Sequence, residues 1–581
     1  MLQRNEKLIK TKLWQYLFPS IMLTAALQIG NIVDTMLVGN ILGTDAMSAV
    51  KIGMTIDNIM EIPGYVLGVG GSVAAGILLG KREREKANKV FSVTLIISLI
   101  CGFIFALSSP LSPLLASILT GGNSLTNDAG SFIFVTLLGA PVLSLALQFI
   151  NYVAVDNNPT VASAYVITAN VINLLCDYLI LKFTPIGTAG AALSTVLGYG
   201  LAMLVLIIYL RSSKRMLKFT NPFKETKSAI KLAVSTGIPT LLYMIFLTIK
   251  DLGLNTMIVQ VIGNDAMAVY TVCTNVILLV ELLVGGIIGT IASIGGVIYG
   301  EKDYFGIRSL SKNVILYCYS VLTVLLLVLY IFTKYIVAMF GITSGELLDI
   351  SIASLRIFVL CLPFYLLNKF MTTYYQSTEK TKLSGIITSL QTCVAILPIA
   401  FVLVFSAKAV GLNMLNALMV SFIASEIITI FIAFIYRKIK YKNQGFLLLP
   451  DDENKNCLDI SISKSIDEAE KVPHEIVDFC KNRCVDSNKT NLIAVAAEEM
   501  VINIIKYGGK KADSIDVNLR ITDDSLILCT RDNGTPFDPT DYTVDSDEFE
   551  IHGIEVIKSI TDIIHYMRVL DLNNTVIEVK L

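Results

Sequence analysis

Seven carboxylates sit inside stretches that are otherwise apolar: Asp34, Asp57, Glu61, Asp177, Asp251, Glu281 and Glu426. An ionised side chain at mid-bilayer costs at least about 2.5–3.5 kcal/mol on insertion scales, so each needs a task or a partner. Asp34 comes late in its stretch (NIVDTMLVG), and Asp177 late in another (NVINLLCDYLIL). Asn173 precedes Asp177 by one helical turn and shares its face, with Asn170 a further turn back. Thr195 opens the following stretch at a similar depth. Two carboxylates, an amide oxygen and a hydroxyl at one level make an oxygen-rich cage, suited to a hard monovalent cation or a shared proton. The plainer alternative is a set of polar groups lining a water-filled cavity. Asp57 and Glu61, one turn apart, are expected to face a central cavity with Gln28, Asn31, Asp251 and Glu281. There they would attract cationic substrates or simply hydrate the space. Lys250 adjoins Asp251, but neighbouring helix residues do not face one another.

A second constellation lies near the C-terminal end. Glu499 and Asn503 are four apart on an expected helix and point the same way. The carboxylate could orient a hydroxyl or water, and the amide oxygen could hold Mg²⁺. Asp532-Asn533-Gly534 follows an expected strand, where an acid can accept a hydrogen bond from a base and glycine lets backbone approach a ligand. Gly553 opens a last helix whose N-terminal amides could face phosphates. The stretch YGGKKADS lacks the glycine spacing of a P-loop, which argues against a Walker-type ATPase. Cys480 and Cys484, with no histidine at ligand spacing, read as ordinary thiols.

The elements that must carry these groups divide the chain in two. Of 581 residues 54% are hydrophobic, and the mean hydropathy of +0.67 lies outside the range of soluble chains. About twelve apolar stretches of membrane-spanning length end near residue 436. They are continuously apolar rather than alternating, which predicts helices rather than a β-barrel. The first contains Pro19 and Asp34 and lacks a small-residue cleavage pattern, so it reads as a span and not a signal peptide. Residues 1–450 carry 32 Lys+Arg against 20 Asp+Glu, whereas 451–581 carry 14 against 27. Basic residues crowd every second loop, as in GKREREKANK, which predicts that both termini and the acidic tail are cytoplasmic.

The apolar part repeats at a spacing of about 220 residues: PSIML at 19 and PTLLY at 239, GTDAM at 43 and GNDAM at 263, LLGK at 78 and IYGE at 298. Six spans separate the copies. An even number gives both halves the same sense, so they are parallel repeats about an axis along the membrane normal. The expected fold is therefore membrane all-α, twelve transmembrane helices in two six-helix parallel repeats, followed by a soluble α+β sandwich. The expected boundaries are 1–232 and 233–440 for the two lobes, 441–456 for a linker, and 457–581 for the tail domain. In the tail, 457–465 reads as a strand, 466–484 as a helix interrupted by Pro473, and 491–508 as an amphipathic helix. Residues 514–534 read as two strands joined by Asp523-Asp524, then a helix near 553–564 and a last strand at 575–581.

VDTMLVG in span 1, N-x-x-N-x-x-x-D in span 5, the GTAGAALST that follows it, and the two six-span repeats together resemble the multidrug and toxic compound extrusion (MATE) transporters over about residues 10–440. The resemblance implies antiport: organic, often cationic, compounds leave the cell through its cytoplasmic (inner) membrane in exchange for Na⁺ or H⁺. It places the cation site at Asp34, Asn173, Asp177 and Thr195. Where some relatives carry a second carboxylate in span 10, this chain has Asn368 and Lys369. The tail is similar to the ATP-binding fold of histidine kinases, gyrase and Hsp90, above all to anti-sigma-factor serine kinases. EEMVIN, DNGTPFD and HGIEVIK stand for its three boxes. That likeness implies ATP with Mg²⁺, Glu499 as base, Asn503 as Mg²⁺ ligand, Asp532 as adenine reader, and Gly534 and Gly553 beside the nucleotide. The expected partners are organic cations, the lipid bilayer and a cytosolic protein, with no nucleic acid. Two other classes fit parts of the pattern: a membrane-anchored serine/threonine protein kinase using the spans as a sensor, and a flippase for lipid-linked saccharides. The acidic character of the buried charges speaks against the flippase.

Overall fold

The computed structural model describes residues 2–42, 44–120, 125–156, 158–211, 215–221, 226–339, 344–442, 444–449, 456–509, 513–540 and 552–581. They form two compact units. One comprises Gln15–Asp303 and Leu310–Lys442; the other comprises Asn443–Leu581 together with Met1–Trp14 and Tyr304–Ser309. The tail domain thus includes two short segments that the sequence reading assigned to the lobes.

The first half of the membrane unit is built from α1 (Lys7–Leu42), α2 (Thr44–Gly80), α3 (Arg84–Leu107), α4 (Ser112–Thr120), α5 (Thr126–Val155), α6 (Pro159–Phe183) and α7 (Thr188–Arg211). The second half begins with α8 (Thr226–Met257), so the lobe boundary expected at 232/233 falls inside a helix. There follow α9 (Asn264–Val280), α10 (Gly286–Thr290), α11 (Gly296–Gly300), α12 (Tyr304–Ile331), α13 (Thr333–Met339), α14 (Glu346–Val359), α15 (Leu362–Ser377), α16 (Thr381–Ser389), α17 (Ile396–Val410) and α18 (Met414–Tyr441). Among the described residues ten helices are long and apolar enough to cross a membrane. The pair Leu347–Val359 and Leu362–Ser377, bent by 41°, gives an eleventh span if counted as one. With α1 counted as well, the twelve expected stretches fall mainly on helix. Large apolar side chains such as Leu107, Leu175, Val402 and Phe431 are exposed on this unit, as a surface solvated by lipid requires.

The repeat has a structural expression. A Cβ built on Gly80 would lie 2.1 Å from the Val297 carbonyl oxygen and 2.8 Å from Gly300 Cα; one built on Gly300 would lie 2.3 Å from the Ile77 oxygen and 2.9 Å from Gly80 Cα. Gly80 and Gly300, like Ile77 and Val297, are 220 positions apart. The two copies of one position pack on each other reciprocally, as a two-fold axis demands. The second copy is not a plain duplicate. Where α2 is a continuous α-helix, its counterpart is broken by π-helical turns at Glu281–Gly285 and Ile291–Gly295. Such turns gather at functional sites. The glycine of GNDAM also has a local reason: Gly263 adopts φ +126°, which L side chains rarely reach. Its counterpart Gly43 lies outside the described residues.

The tail domain is a five-stranded antiparallel sheet: β1 (Cys457–Ile462), β2 (Ile515–Ile521), β3 (Ser525–Asp532), β4 (Ile563–Val569) and β5 (Leu572–Lys580) in the order β1-β2-β3-β5-β4. Short α19 (Ile466–Ala469) precedes α20 (Lys471–Lys481), then come α21 (Ser487–Tyr507) and α22 (His552–Ile560). Ile476, Ile493, Ala497, Val501 and Ile557 from the helices pack on Val517, Leu528 and Ile577 from the sheet. Pro473 does not interrupt its helix, because it stands in the first turn, where its missing N–H is no loss. The helix expected over 553–564 ends at Ile560, and IIHYMRV forms β4 instead. Its hairpin with β5, paired Ile563↔Glu578 through Val569↔Leu572, overrides the local helical reading.

Candidate functional site

The polar groups expected to form the cation cage come from three helices. α1 brings Asp34, α6 brings Asn170, Asn173 and Asp177, and α7 brings Ser194 and Thr195. Close backbone approach makes this feasible. A Cβ on Gly30 would strike the Asn170 side chain at 2.8 Å, and one on Gly198 would strike the Ala169 oxygen at 2.7 Å and Asn173 Cβ at 2.8 Å. Asn170 Nδ2 donates to the Ala26 carbonyl at 2.6 Å, tying α6 to α1. Asn173 Nδ2 donates to Thr195 Oγ1 at 3.4 Å, and that hydroxyl donates back to the Ala191 carbonyl at 3.2 Å. Asp34 and Asp177 come within hydrogen-bonding range of each other, with the Ser194 hydroxyl beside Asp177. Asp177 is fully buried. Neither of its carboxylate oxygens, nor Asp34 Oδ1, has a hydrogen-bond partner. Two facing carboxylates offer acceptors only. A shared proton or cation is what such a pair lacks.

Asp57 lies within electrostatic range of Asp34, Glu61 within range of Asp57, and Tyr65 and Tyr199 both within range of Glu61. The acidic track therefore continues from the pair along α2. Gln28 and Asn31 are on α1, but their side chains lie outside the described residues.

The second lobe treats its charges differently. Glu281 is 220 positions after Glu61, yet it forms an ion pair with Lys369 Nζ at 3.0 Å and accepts a hydrogen bond from Tyr365. Lys369 also lies over the Tyr243 ring, 5.2 Å from its centroid. Glu426 accepts hydrogen bonds from Asn368 at 2.7 Å and Gln391 at 3.1 Å. Asp251 does pair with adjacent Lys250, at 3.2 Å, because the long lysine stem can fold back. A lysine in an apolar span demands a partner. That signal was available in the sequence for Lys369, although which of the carboxylates it meets was not. We expect Lys369→Met to lower the folded yield sharply, by about 3–5 kcal/mol of lost stability, since it strands the Glu281 charge. Glu281→Gln combined with Lys369→Met should recover most of it in thermal unfolding of the purified protein.

In the tail domain, alternation along the strands builds the site. Leu526 and Leu528 of β3 and Val579 and Ile577 of β5 belong to the core under the helices. Two residues further along the same face, each strand turns polar: Thr530 and Asp532 on β3, Thr575 and Asn573 on β5. These pair across as Thr530↔Thr575 and Asp532↔Asn573. Asp532 Oδ1 accepts from Gly534 N at 2.7 Å and from Asn573 Nδ2 at 2.9 Å. Burial pushes the Asp532 carboxyl above the usual range, opposed by those two bonds and by nearby Arg568. Arg568 Nη1 donates to the Gly534 carbonyl at 3.1 Å and to Asn573 Oδ1 at 2.7 Å. Any side chain at Gly534 would strike the Asp532 carboxylate and the Gly508 oxygen, each 2.7 Å from its Cβ. Gly508 and Gly509 end α21, Gly509 at φ +71°, and Thr535 N donates to the Gly508 carbonyl at 2.9 Å.

Glu499 and Asn503 lie one turn apart on α21. Asn503 Nδ2 and Thr530 Oγ1 are buried without a hydrogen-bond partner, so the donor set fits a polar ligand such as a nucleotide. Sequence reasoning missed Asn573, Thr575 and Arg568. The switch from apolar to polar at constant period 2 was the signal that could have found the first two. Gly553 belongs to α22, but its surroundings, like residues 541–551, lie outside the description.

Comparison with known proteins bears on the fold and the family. The MatE family profile matches residues 19–179 and 239–402, more than half of the chain, and the histidine kinase-like ATPase domain profile matches 462–580. The chain is 24% identical over 258 residues to the multidrug export protein MepA of Staphylococcus haemolyticus, covering 44% of this chain and 57% of that protein. It thus spans little more than half the length of that relative. Among solved structures, a MOP superfamily transporter from Pyrococcus furiosus, whose binding pocket is described as of reverse polarity, superposes with a TM-score of 0.68 at 18% identity. The match covers 74% of this chain and 96% of that one. A multidrug resistance MATE family transporter in an outward-facing conformation matches equally, with a TM-score of 0.68 at 18% identity over the same shares of both chains. At that identity the likeness establishes the fold. The chain belongs to the MatE family, as a multi-pass membrane protein that also carries a histidine kinase-like ATPase domain.

Proposed function

We propose that this protein exports organic, mainly cationic, compounds in exchange for a monovalent cation, Na⁺ or H⁺, and that its C-terminal domain binds MgATP to regulate transport or act on a cytosolic partner. The buried Asp34–Asp177 pair, with unpartnered oxygens, supports the coupling step. A cation entering between the two carboxylates removes their repulsion. That favours a tighter packing of α1 on α6 and α7 and changes the acidic track that reaches Asp57 and Glu61. Substrate and cation then compete for the same negative charge, which is the logic of exchange. One charge crossing 100 mV contributes about 2.3 kcal/mol, a concentration ratio of about fifty. In this reading the tail domain and both chain ends are cytoplasmic, as the basic loops require.

Glu281 carries its own counterion in Lys369, so the second lobe is assigned no coupling cation. In the tail, Asn503 would hold Mg²⁺, Asp532 and Gly534 would receive the base, and Glu499 would orient a hydroxyl or water. ATP supplies its phosphates and charge to that site when bound. Asp532→Asn should weaken binding of a fluorescent ATP analogue by at least about tenfold, since a hydrogen bond to a charged group contributes roughly 1.5–3 kcal/mol. The ionised carboxylate is the acceptor, so affinity should fall as pH drops. Because burial raises this group, the fall should begin above the usual carboxylate range.

The deciding experiment is efflux from vesicles by the full chain and by a chain lacking residues 457–581, at imposed Na⁺ or pH gradients and with ATP present or absent. Efflux driven by ATP with both gradients collapsed would overturn antiport. A response to only one gradient identifies the ion.

A further inference from the structure

The N-terminal residues belong to the tail domain. Leu2 packs against its apolar core, and Leu2 N donates to Glu475 Oε1 at 3.0 Å. Ser461 N of edge strand β1 donates to the Gln3 carbonyl at 3.3 Å, and Asn5 N donates to Ser461 Oγ at 3.0 Å. Arg4 pairs with Asp516 at 2.8 Å and Asp459 at 3.3 Å. The Arg4 and Asp516 side chains are only 4% and 3% exposed. Ser461 Oγ donates to the same Asp516 at 2.6 Å. Segment 2–5 is therefore a firmly anchored strap along the free edge of the sheet. A removed partner would leave a buried charge behind.

The other end of the strap is built differently. Lys7, the first residue of α1, is capped by Asn5 Oδ1 at 2.9 Å. It reaches Asp513 with an ion pair of 3.0 Å between half-exposed side chains. The Lys7 ammonium holds the Asp513 carboxyl below its usual range. Asp513 is locked in turn to Asn533: Asn533 Nδ2 donates to Asp513 Oδ1 at 2.9 Å, and Asp513 N donates to Asn533 Oδ1 at 3.2 Å. Asn533 stands between Asp532 and Gly534, the two residues expected at the base. A direct chain of polar contacts thus runs from the nucleotide loop to the first residue of the helix that carries Asp34.

We propose that this strap is the regulatory link, and that nucleotide in the Asp532–Gly534 loop tightens the Asn533–Asp513–Lys7 contacts and holds the start of α1 docked. The inference rests on the reading of the tail as an ATP-binding domain. The two are separable by hydrogen exchange on the full chain, with binding of a fluorescent ATP analogue measured in parallel. MgATP should slow exchange of the amides of residues 7–14 about fivefold or more. Lys7→Ala should abolish that slowing and weaken ATP binding by the same factor, because coupling is reciprocal. If the analogue binds while exchange at 7–14 is unchanged or accelerated, the link is wrong and the ATP reading stands. If the slowing survives in Lys7→Ala, the route through Asp513 is wrong. If no nucleotide binds, both fall.

Discussion

Asp34→Asn and Asp177→Asn are each expected to reduce efflux to the level of empty vesicles while the protein still folds and inserts. An amide keeps the size of the carboxylate but not its charge, and it brings a donor to a place where the pair offers only acceptors. The mutant pair therefore resembles the cation-loaded state at all times. With no change on cation binding, a gradient has nothing to act on, however steep it is. Folding should be spared, since replacing one of two facing carboxylates removes repulsion and not an attractive contact. A thermal midpoint equal to or above that of the parent protein is the expected control. Parent-level efflux by either variant at equal expression would refute the assignment of the cage. Thr195→Val should leave part of the activity, because that hydroxyl supplies only one ligand and already donates to the Ala191 carbonyl.

Gly80→Leu is expected to have a comparable effect by another route. The Gly80–Gly300 approach has no room for even a methyl group: a Cβ at either position meets backbone at 2.1–2.3 Å. Backbone cannot rotate aside, so the two lobes must part at that end. Overpacking of this kind costs about 1–3 kcal/mol, which shifts the balance between lobe arrangements by a factor of about 5 to 150. Both Gly80→Leu and Gly300→Leu should depress efflux about fivefold or more, with binding of a fluorescent substrate retained. Equal sensitivity at the two positions is the specific expectation. A strong defect at one and none at the other would argue against a shared axial contact.

Much of this was legible in the residues. The spans follow from length and hydropathy. The relation of Asn173 to Asp177 follows from helical spacing, and the two lobes follow from matched Pro, Gly and Asp at intervals of 220. The meeting of α6 with α1 and with α7 was less accessible, because it depends on Gly30 and Gly198 respectively permitting close approach, and local pattern does not report what lies opposite a glycine. Lys369 illustrates the other limit. Its need for a partner was readable, but Glu281, Glu426 and Asp251 were equally eligible, and only tertiary packing selects among them. The strand at 563–569 was lost for a similar reason: its pairing with 572–580 outweighs a weak local preference. The role of Arg4 was hidden further still, since a basic residue ahead of a first span has a ready explanation in topology alone.

Glu61 and Glu281 occupy the same place in the two copies, yet among the described residues only Glu281 has a lysine paired with it. An ancestral gene duplication would have started with two identical halves, each able to gain and lose charge. Acquisition of Lys369 fixes the charge at Glu281 and leaves Glu61 free to vary. Under the proposed exchange, charge movement at this pair of positions is expected at Glu61 and not at Glu281. Electrical recordings that resolve charge movement should accordingly report one class of moving charge rather than two.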